Sequence, residues 1–255
     1  MKGRPAKYPF LEHDGILAFA HRGGADGWPE NTMIAFEGAA RLGYRYIETD
    51  VHCTRDGVLV AFHDDVLDRV TDGKGRIADL DYATVKAAKV AGREPIPLME
   101  DLLGALPDVK INIDPKLDNA VEPLVEVIKR TGSIDRVCIG SFSGARLARI
   151  RKLLGPKLCT SMGPLDVTRL RVASFGLPVG GFVVGCAQVP VTSHGLTVVD
   201  RRFVEAAHRR DLQVHVWTID DPTEMNRLLD LGVDGLMTDR PGVLKQVLQD
   251  RGLWA

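Results

Sequence analysis

The sequence predicts an α/β protein built as a closed (β/α)8 TIM barrel, on three observations. Short β-rich runs alternate with amphipathic helical stretches along almost the whole chain, and a β–α–β order with crossover helices makes the strands parallel. Eight such runs can be counted, and 255 residues is close to the ~250 typical of a barrel that folds as one unit. The turn after the first run reads His21-Arg22-Gly23-Gly24, not the Gly-x-Gly-x-x-Gly of an open dinucleotide-binding sheet.

The strands are expected at 16–20, 46–51, 109–114, 137–141, 158–161, 182–184, 214–218 and 235–238. Helical periodicity follows at 32–42, 120–130, 145–154, 201–210, 222–231 and 241–249. Asn31 and Asp221 stand where N-caps belong, with Pro222 and Pro241 in first turns. Gly43 and Gly232 stand where helices should stop. One region breaks the rhythm. An extra strand at 58–62 follows the turn Asp56-Gly57, which makes it a hairpin partner of the second barrel strand. The polar stretch 64–96, with one weak helix, reads as a small insertion after the second strand region, over one end of the barrel. The chain is therefore expected to be a single catalytic barrel domain, residues 1–255.

Composition narrows the partners. Thirty-three Lys and Arg face 34 Asp and Glu, a formal charge of −1, so no global field draws the chain to nucleic acid or to an anionic membrane. Cys53, Cys138, Cys159 and Cys186 show no metal-knuckle or redox spacing. Residues 1–15 lack the apolar core of a signal peptide, and the apolar stretch 180–191 is too short to span a bilayer. The expectation is a reduced, cytoplasmic protein with a small-molecule substrate and no stable membrane association; nothing in it sets an oligomeric state.

In such a barrel the C-terminal strand ends and the loops after them build the active face. Strand one delivers His21 and Arg22 there, strand two Glu48 and Asp50, and the hairpin strand His63 and Asp64. Strand three delivers Asp114 and Lys116, strand seven Trp217, and strand eight Asp239 and Arg240. Residues two apart share one side of a strand, so Glu48 lies with Asp50 and Asp114 with Lys116. Three carboxylates then meet at one rim. Like charges ~4 Å apart repel by about 4 kcal/mol at an effective dielectric of about 20, so the group either takes up protons or holds a hard cation. All-oxygen ligation suits Mg2+ or Ca2+ better than zinc. The plainer reading, three separate surface carboxylates, fits the shared side and rim less well.

A lone histidine at a strand end is commonly a hydrogen-bonded structural residue. His21 and His63, however, both border the acidic strands, where one imidazole can accept a proton while the other donates one. Arg22 and Lys116 offer a guanidinium fork and an ammonium to phosphate oxygens; the alternative is ion pairing with Glu48, Asp50 or Asp114. Trp217 reads as core packing or as a substrate-facing wall. His13 and His208 read as solvated, His52 as facing outward or a loop, His194 as a loop residue, and His215 as buried and structural. A metal, two cations and an acid–base pair together describe hydrolysis at a phosphate ester.

Several runs resemble the signature of the glycerophosphodiester phosphodiesterases. These are Ala20-His21-Arg22-Gly23, Pro29-Glu30-Asn31-Thr32, Ile47-Glu48-Thr49-Asp50-Val51, Thr54-Arg55-Asp56-Gly57, and His63-Asp64 with Leu67 and Arg69. Trp217-Thr218, Gly232-Val233-Asp234-Gly235 and Thr238-Asp239-Arg240-Pro241 continue the series in the expected order. The resemblance implies the same barrel with its insertion, and metal-dependent hydrolysis of glycerophosphodiesters to glycerol 3-phosphate and an alcohol. It implies His21 and His63 as the acid–base pair, Glu48 and Asp50 as metal ligands, and Arg22 and Lys116 as phosphate contacts. Where the family has Glu-x-Lys, this chain has Asp114-Pro115-Lys116, a third ligand one methylene shorter, which bears on metal affinity and choice.

Three alternatives are weighed. A related phosphodiesterase acting on lysophospholipids, as a lysophospholipase D does, would want an apolar groove beside the insertion, and no apolar run lies there. A non-catalytic phosphate-binding barrel would need only Arg22 and Lys116. A Schiff-base aldolase using Lys116 is disfavoured, because a lysine beside carboxylates stays protonated.

Overall fold

The structure is a computed structural model describing residues 6–254. Eight parallel strands form its centre: β1 (Leu17–His21), β2 (Tyr46–Cys53), β3 (Lys110–Pro115), β4 (Val137–Ile139), β5 (Cys159–Thr160), β6 (Cys186–Pro190), β7 (Gln213–Trp217) and β8 (Gly235–Thr238). They hydrogen-bond in the order β5-β4-β3-β2-β1-β8-β7-β6. A single parallel bridge, Ser161 to Cys186, joins the two ends and closes the barrel. One helix follows each strand: α1 (Met33–Arg41), α2 (Met99–Ala105), α3 (Val121–Arg130), α4 (Gly144–Leu154), α5 (Pro164–Ala173), α6 (Arg201–His208), α7 (Pro222–Leu231) and α8 (Pro241–Asp250).

Strand alternation sorts the side chains. Ile47 and Val51 of β2, Ile111 and Ile113 of β3 and Val214 and Val216 of β7 are buried in the core shared with the helices. Their neighbours along each strand point into the barrel. The interior is apolar at its lower end, where Leu17, Phe19, Tyr46 and Met237 cluster with Phe10. Phe10 belongs to the 3-10 turn Pro9–Leu11, which plugs this end. It lies edge-on to Tyr46 at 5.4 Å between centroids, and burying a ring of that size stabilises the plug by about 1.5–3 kcal/mol. Tyr46 Oη and Lys110 Nζ donate to the carbonyls of the same segment at 2.7–3.1 Å, so the turn is hydrogen-bonded as well as packed.

The predicted hairpin is present. The strand Leu59–Ala61 runs antiparallel to the end of β2 in the register Val51↔Ala61, His52↔Val60 and Cys53↔Leu59. The insertion after it has a small core of its own, with Leu67, Ile77, Val85 and Val90 packed on Val60 and Phe62. Its helix Tyr82–Ala87 has only six residues.

Three expectations are corrected. The sixth strand is Cys186–Pro190, not 182–184; its Gln188 faces inward and donates to Asn112 Oδ1 at 2.9 Å, so a polar residue is satisfied where an apolar one was sought. Helices α2 and α5 were missed. The first is short, with buried Met99, Leu102 and Leu103. The second buries only Leu170 and Ala173, so it carries no apolar stripe to read. The N-cap of α1 is Thr32, whose side chain accepts from Ala35 N, and not Asn31; Asp221 does cap α7.

Candidate active site

The barrel lifts the polar side chains of its inward faces to the C-terminal rim. His21 ends β1, and the chain then turns sharply through Arg22 (φ 53°), Gly23 (φ 82°) and Gly24 (φ 92°). A Cβ on Gly23 would meet Ala35 Cβ at 2.8 Å, and one on Gly24 would meet Pro241 Cγ at 2.5 Å. Glycine is required here by both backbone and space. The turn brings the Arg22 main-chain N–H to within 3.3 Å of Glu48 Oε2.

Glu48 and Asp50 share the inward side of β2, as their spacing predicts, and Asp50 lies in register with Asp114 of β3. Lys116 bridges the strands, with Nζ at 2.6 Å from Asp50 Oδ1 and 2.9 Å from Asp114 Oδ2. Arg22 pairs with Asp50 through Nε at 3.4 Å and with Glu30 through Nη1 at 3.1 Å. The ion pairing offered as the alternative for Arg22 and Lys116 is therefore realised in this state.

Charges at the site are unevenly satisfied. Burial opposes ionisation of Asp50, but Lys116 outweighs it and holds the carboxyl below the ordinary range. Burial pushes Asp114 up in spite of Lys116. Glu48 is pushed up to about 7, first by burial and then by the charge of Asp50. Lys116 is held above the ordinary lysine range: burial works against its charge, and Asp50 and Asp114 prevail. It is an ammonium, which agrees with the case against an aldolase.

Each expected acid–base histidine has a carboxylate behind it. His21 Nδ1 lies 2.7 Å from Asp239 Oδ1 at the end of β8, and its Nε2 lies 3.7 Å from Glu48 Oε2. Burial disfavours its charge, but Glu48 and Asp239 outweigh burial and raise its pKa. His63 Nδ1 lies 2.6 Å from Asp64 Oδ1. Asp64 is held down to about 2, chiefly by the hydrogen bond from Arg69, with burial opposing. With Nδ1–H donating to a carboxylate, Nε2 of each ring becomes the nitrogen free to react. A chain of alternating charge joins the two: Arg22 to Glu30, Glu30 to Arg69, and Arg69 to Asp64.

All the expected site residues except Trp217 thus belong to one connected group. Trp217 ends β7 half-buried, edge-on to Phe142 at 5.9 Å. A cleft of about 450 Å3 opens beside the group, lined by His52, His63, Asp64 and Lys116 among others.

Other residues were misread or missed. His52 faces inward with Glu48 and Asp50, buried, and its Nε2 donates to the His63 carbonyl at 3.0 Å, supporting the strand end that carries His63. Asn31 donates to Asp50 Oδ2 at 3.3 Å and accepts from Thr49 Oγ1 at 2.8 Å. His208 is bonded to Asp234 at 2.8 Å, and His13 packs edge-on to Tyr46; both are half-buried and only partly solvated. His194 sits in a turn, a loop residue as expected, and is exposed; His215 is buried between Gln213 and Gln188, as expected. Asp64 and Asp239 were placed at the rim by their strand ends, and the adjacency of His63 and Asp64 was the one signal for a pairing.

Comparison with known proteins agrees. The profile of the glycerophosphoryl diester phosphodiesterase family matches residues 21–243. A Mycobacterium tuberculosis protein named "Probable glycerophosphodiester phosphodiesterase 2" is 42% identical over 254 residues, covering 96% of this chain and 95% of that protein. A human lysophospholipase D is 28% identical, over 96% of this chain and 91% of that protein. The structure of an Oleispira antarctica phosphodiesterase in complex with the product sn-glycerol-3-phosphate shares the fold, with a TM-score of 0.78 at 23% identity, over 92% of this chain and 97% of that one. With the family matched across the whole barrel, from His21 on β1 to the start of α8, the chain belongs to the glycerophosphoryl diester phosphodiesterases and is an enzyme of that class.

Proposed function

We propose that the chain hydrolyses glycerophosphodiesters to glycerol 3-phosphate and an alcohol, with His21 and His63 moving the protons. The observation that carries this is the pair of imidazoles, each with Nδ1 tied to a carboxylate, joined through one ionic network to Glu48, Asp50 and Lys116. The raised pKa of His21 suits it to donate a proton to the departing alkoxide, which leaves His63 to take one from the attacking oxygen. Arg22 and Lys116 are the phosphate contacts; a phosphate oxygen would compete with Asp50 and Asp114 for them.

The donor set fits a hard divalent cation. Glu48 is a buried carboxyl near the neutral–ionised boundary whose nearest positive partners are His21 and a main-chain N–H, and a cation would complete its ionisation. Glu48, Asp50 and Asp114 would hold Mg2+ or Ca2+ through oxygen alone. Lys116 stands between Asp50 and Asp114, so Asp114 would serve directly once Lys116 turns to phosphate, or through water. When bound, the ion supplies charge neutralisation at the phosphate.

The test is glycerol 3-phosphate release from several headgroups, with chelator and with added Mg2+ or Ca2+. His21→Ala and His63→Ala should each lower turnover ~100- to 10,000-fold with the fold intact. More than a tenth of wild-type turnover in either variant would remove that histidine from the mechanism.

One observation favours a substrate with an apolar acyl chain on its glycerol as a second reading. Phe142 and Leu196, on the loops after β4 and β6, and Leu165, in the first turn of α5, are 70%, 73% and 74% exposed, on the rim that carries Trp217. The human lysophospholipase D relative makes lysophosphatidylcholine the substrate to compare with glycerophosphocholine. Equal turnover of the two would support the second reading; activity confined to glycerophosphocholine would reject it.

A further inference from the structure

Below the active site the barrel holds a second cluster of ligand-type side chains, which the proposed hydrolysis does not use. Cys138 of β4, Cys159 of β5 and Cys186 of β6 each sit on the inward side of their strands, and their Sγ atoms all lie within 4.8 Å of one another. Cys138 and Cys159 are directly paired in register, and Cys186 carries the bridge that closes the barrel. The three are 0–1% exposed. Tyr8, Phe10 and Leu11 pack against them from the plugged end, so the environment is dry. All three are free thiols, as is Cys53, which lies in the separate core under the helices.

Geometry and ligand softness point the same way. A tetrahedral Zn–S distance of ~2.3 Å sets sulfurs ~3.8 Å apart, so three thiols already within 4.8 Å need to close by about 1 Å at most, which is within side-chain adjustment. Soft sulfur donors select Zn2+ and Cu+ over Mg2+ and Ca2+, the reverse of the all-oxygen site above them. A nitrogen donor is also at hand. Buried His215 stands on the adjoining strand β7, with Nε2 engaged by Gln213 Oε1 at 3.0 Å and Nδ1 only by Gln188 Nε2 at 3.4 Å. Position gives such a site a purpose. The seam between β5 and β6 is closed by one ladder bridge, with two main-chain hydrogen bonds beside it, Met162 N to Cys186 O and Gly185 N to Thr160 O. β2 and β3, by contrast, are in register over six residue pairs. An ion held by β4, β5 and β6 would staple the least paired seam of the barrel.

We propose that Cys138, Cys159 and Cys186 form a buried structural site for one thiophilic d10 cation, Zn2+ or a softer congener, with His215 on the adjoining strand as a fourth donor. The ion enters as the chain folds, displacing thiol protons to solvent, because the closed barrel leaves the cluster no path to water.

The test uses the reduced full chain, refolded with Cd2+ as probe, or with Zn2+, then desalted through chelator. Bound metal is read by mass spectrometry, and for Cd2+ by thiolate-to-metal charge-transfer absorption. The expected result is one chelator-resistant ion per chain, a charge-transfer band, and a higher thermal midpoint than the metal-free protein. The same ion should persist in Glu48→Gln, which separates it from the oxygen site, and in Cys53→Ala; it should be lost in Cys159→Ser or Cys186→Ala. Should those variants fail to fold, denaturing the Cys53→Ala variant with a thiol reagent decides the matter: metal-loaded protein must release its ion in step with its three remaining thiols becoming reactive. Wild type that retains no ion, or a Cys159→Ser variant that retains as much, would reduce the cluster to small side chains filling a narrow barrel.

Discussion

The charge state of His21 is set by its neighbours. Its imidazole is buried, which favours the neutral ring, yet Glu48 and Asp239 hold the charged form and raise its pKa. Asp239→Asn removes one of those charges and the partner that orients Nδ1, so the His21 pKa falls. We expect the limb of the pH–rate profile that reports on His21 to move to lower pH, with kcat down by about 100-fold; an unshifted limb would show that Asp239 does not act through His21. At Asp114 charge should outweigh reach. Asp114→Asn should raise the half-saturating Mg2+ or Ca2+ concentration by about tenfold, while Asp114→Glu keeps most activity, because hard cations accept variable or water-bridged ligands. Metal titration after chelation reads both. The residues carrying charge at strand ends were legible because alternation and barrel geometry fix their side and their rim. His52 and Asn31 were not. His52 follows the same alternation as Glu48 and Asp50, but its carbonyl partner on His63 exists only once the hairpin folds. Asn31 looks like a cap until the chain turns through a positive φ of 54° and aims it at Asp50.

At the level of elements, the turn between β1 and α1 shows how tightly the site is tied to packing. Gly24→Ala must fit a methyl 2.5 Å from Pro241 Cγ at a φ of 92°, so α8 has to give way or the turn has to reshape. A cost of about 1–3 kcal/mol is expected, read as a lower denaturation midpoint. Turnover should fall with it, because the same turn sets the Arg22 N–H on Glu48. Most elements could be read from sequence since each buries one stripe or alternates cleanly. The exceptions are informative. α5 packs as one helix in a ring and buries two residues, so its stability comes from neighbours and not from its own pattern. β6 carries Gln188 into the interior, where Asn112 and His215 receive it, and a polar residue satisfied by distant strands looks like a loop when read alone.

For the molecule as a whole, the network of Glu30, Arg69, Asp64 and His63 ties the inserted segment to the barrel rim. Asp64 has a depressed pKa of about 2, against ~3.9 unfolded. A depressed carboxylate contributes stability that is present above the unfolded value and is lost as pH falls through the folded one. Stability should therefore decline between about pH 4 and 2, and Asp64→Asn should flatten that part of the decline in urea midpoints taken at stepped pH. Closure has a consequence of another kind. β1 pairs with β8, Leu17 opposite Gly235, and His21 meets Asp239 across 218 positions of sequence. On the ribosome, β1 therefore waits for nearly the whole chain before its second neighbour arrives, and pairing so distant is slow to form. A fragment that stops short of Asp239 lacks the carboxylate paired with His21 Nδ1. Under the proposed chemistry, such a fragment would carry an unoriented His21 and would hydrolyse phosphodiesters poorly.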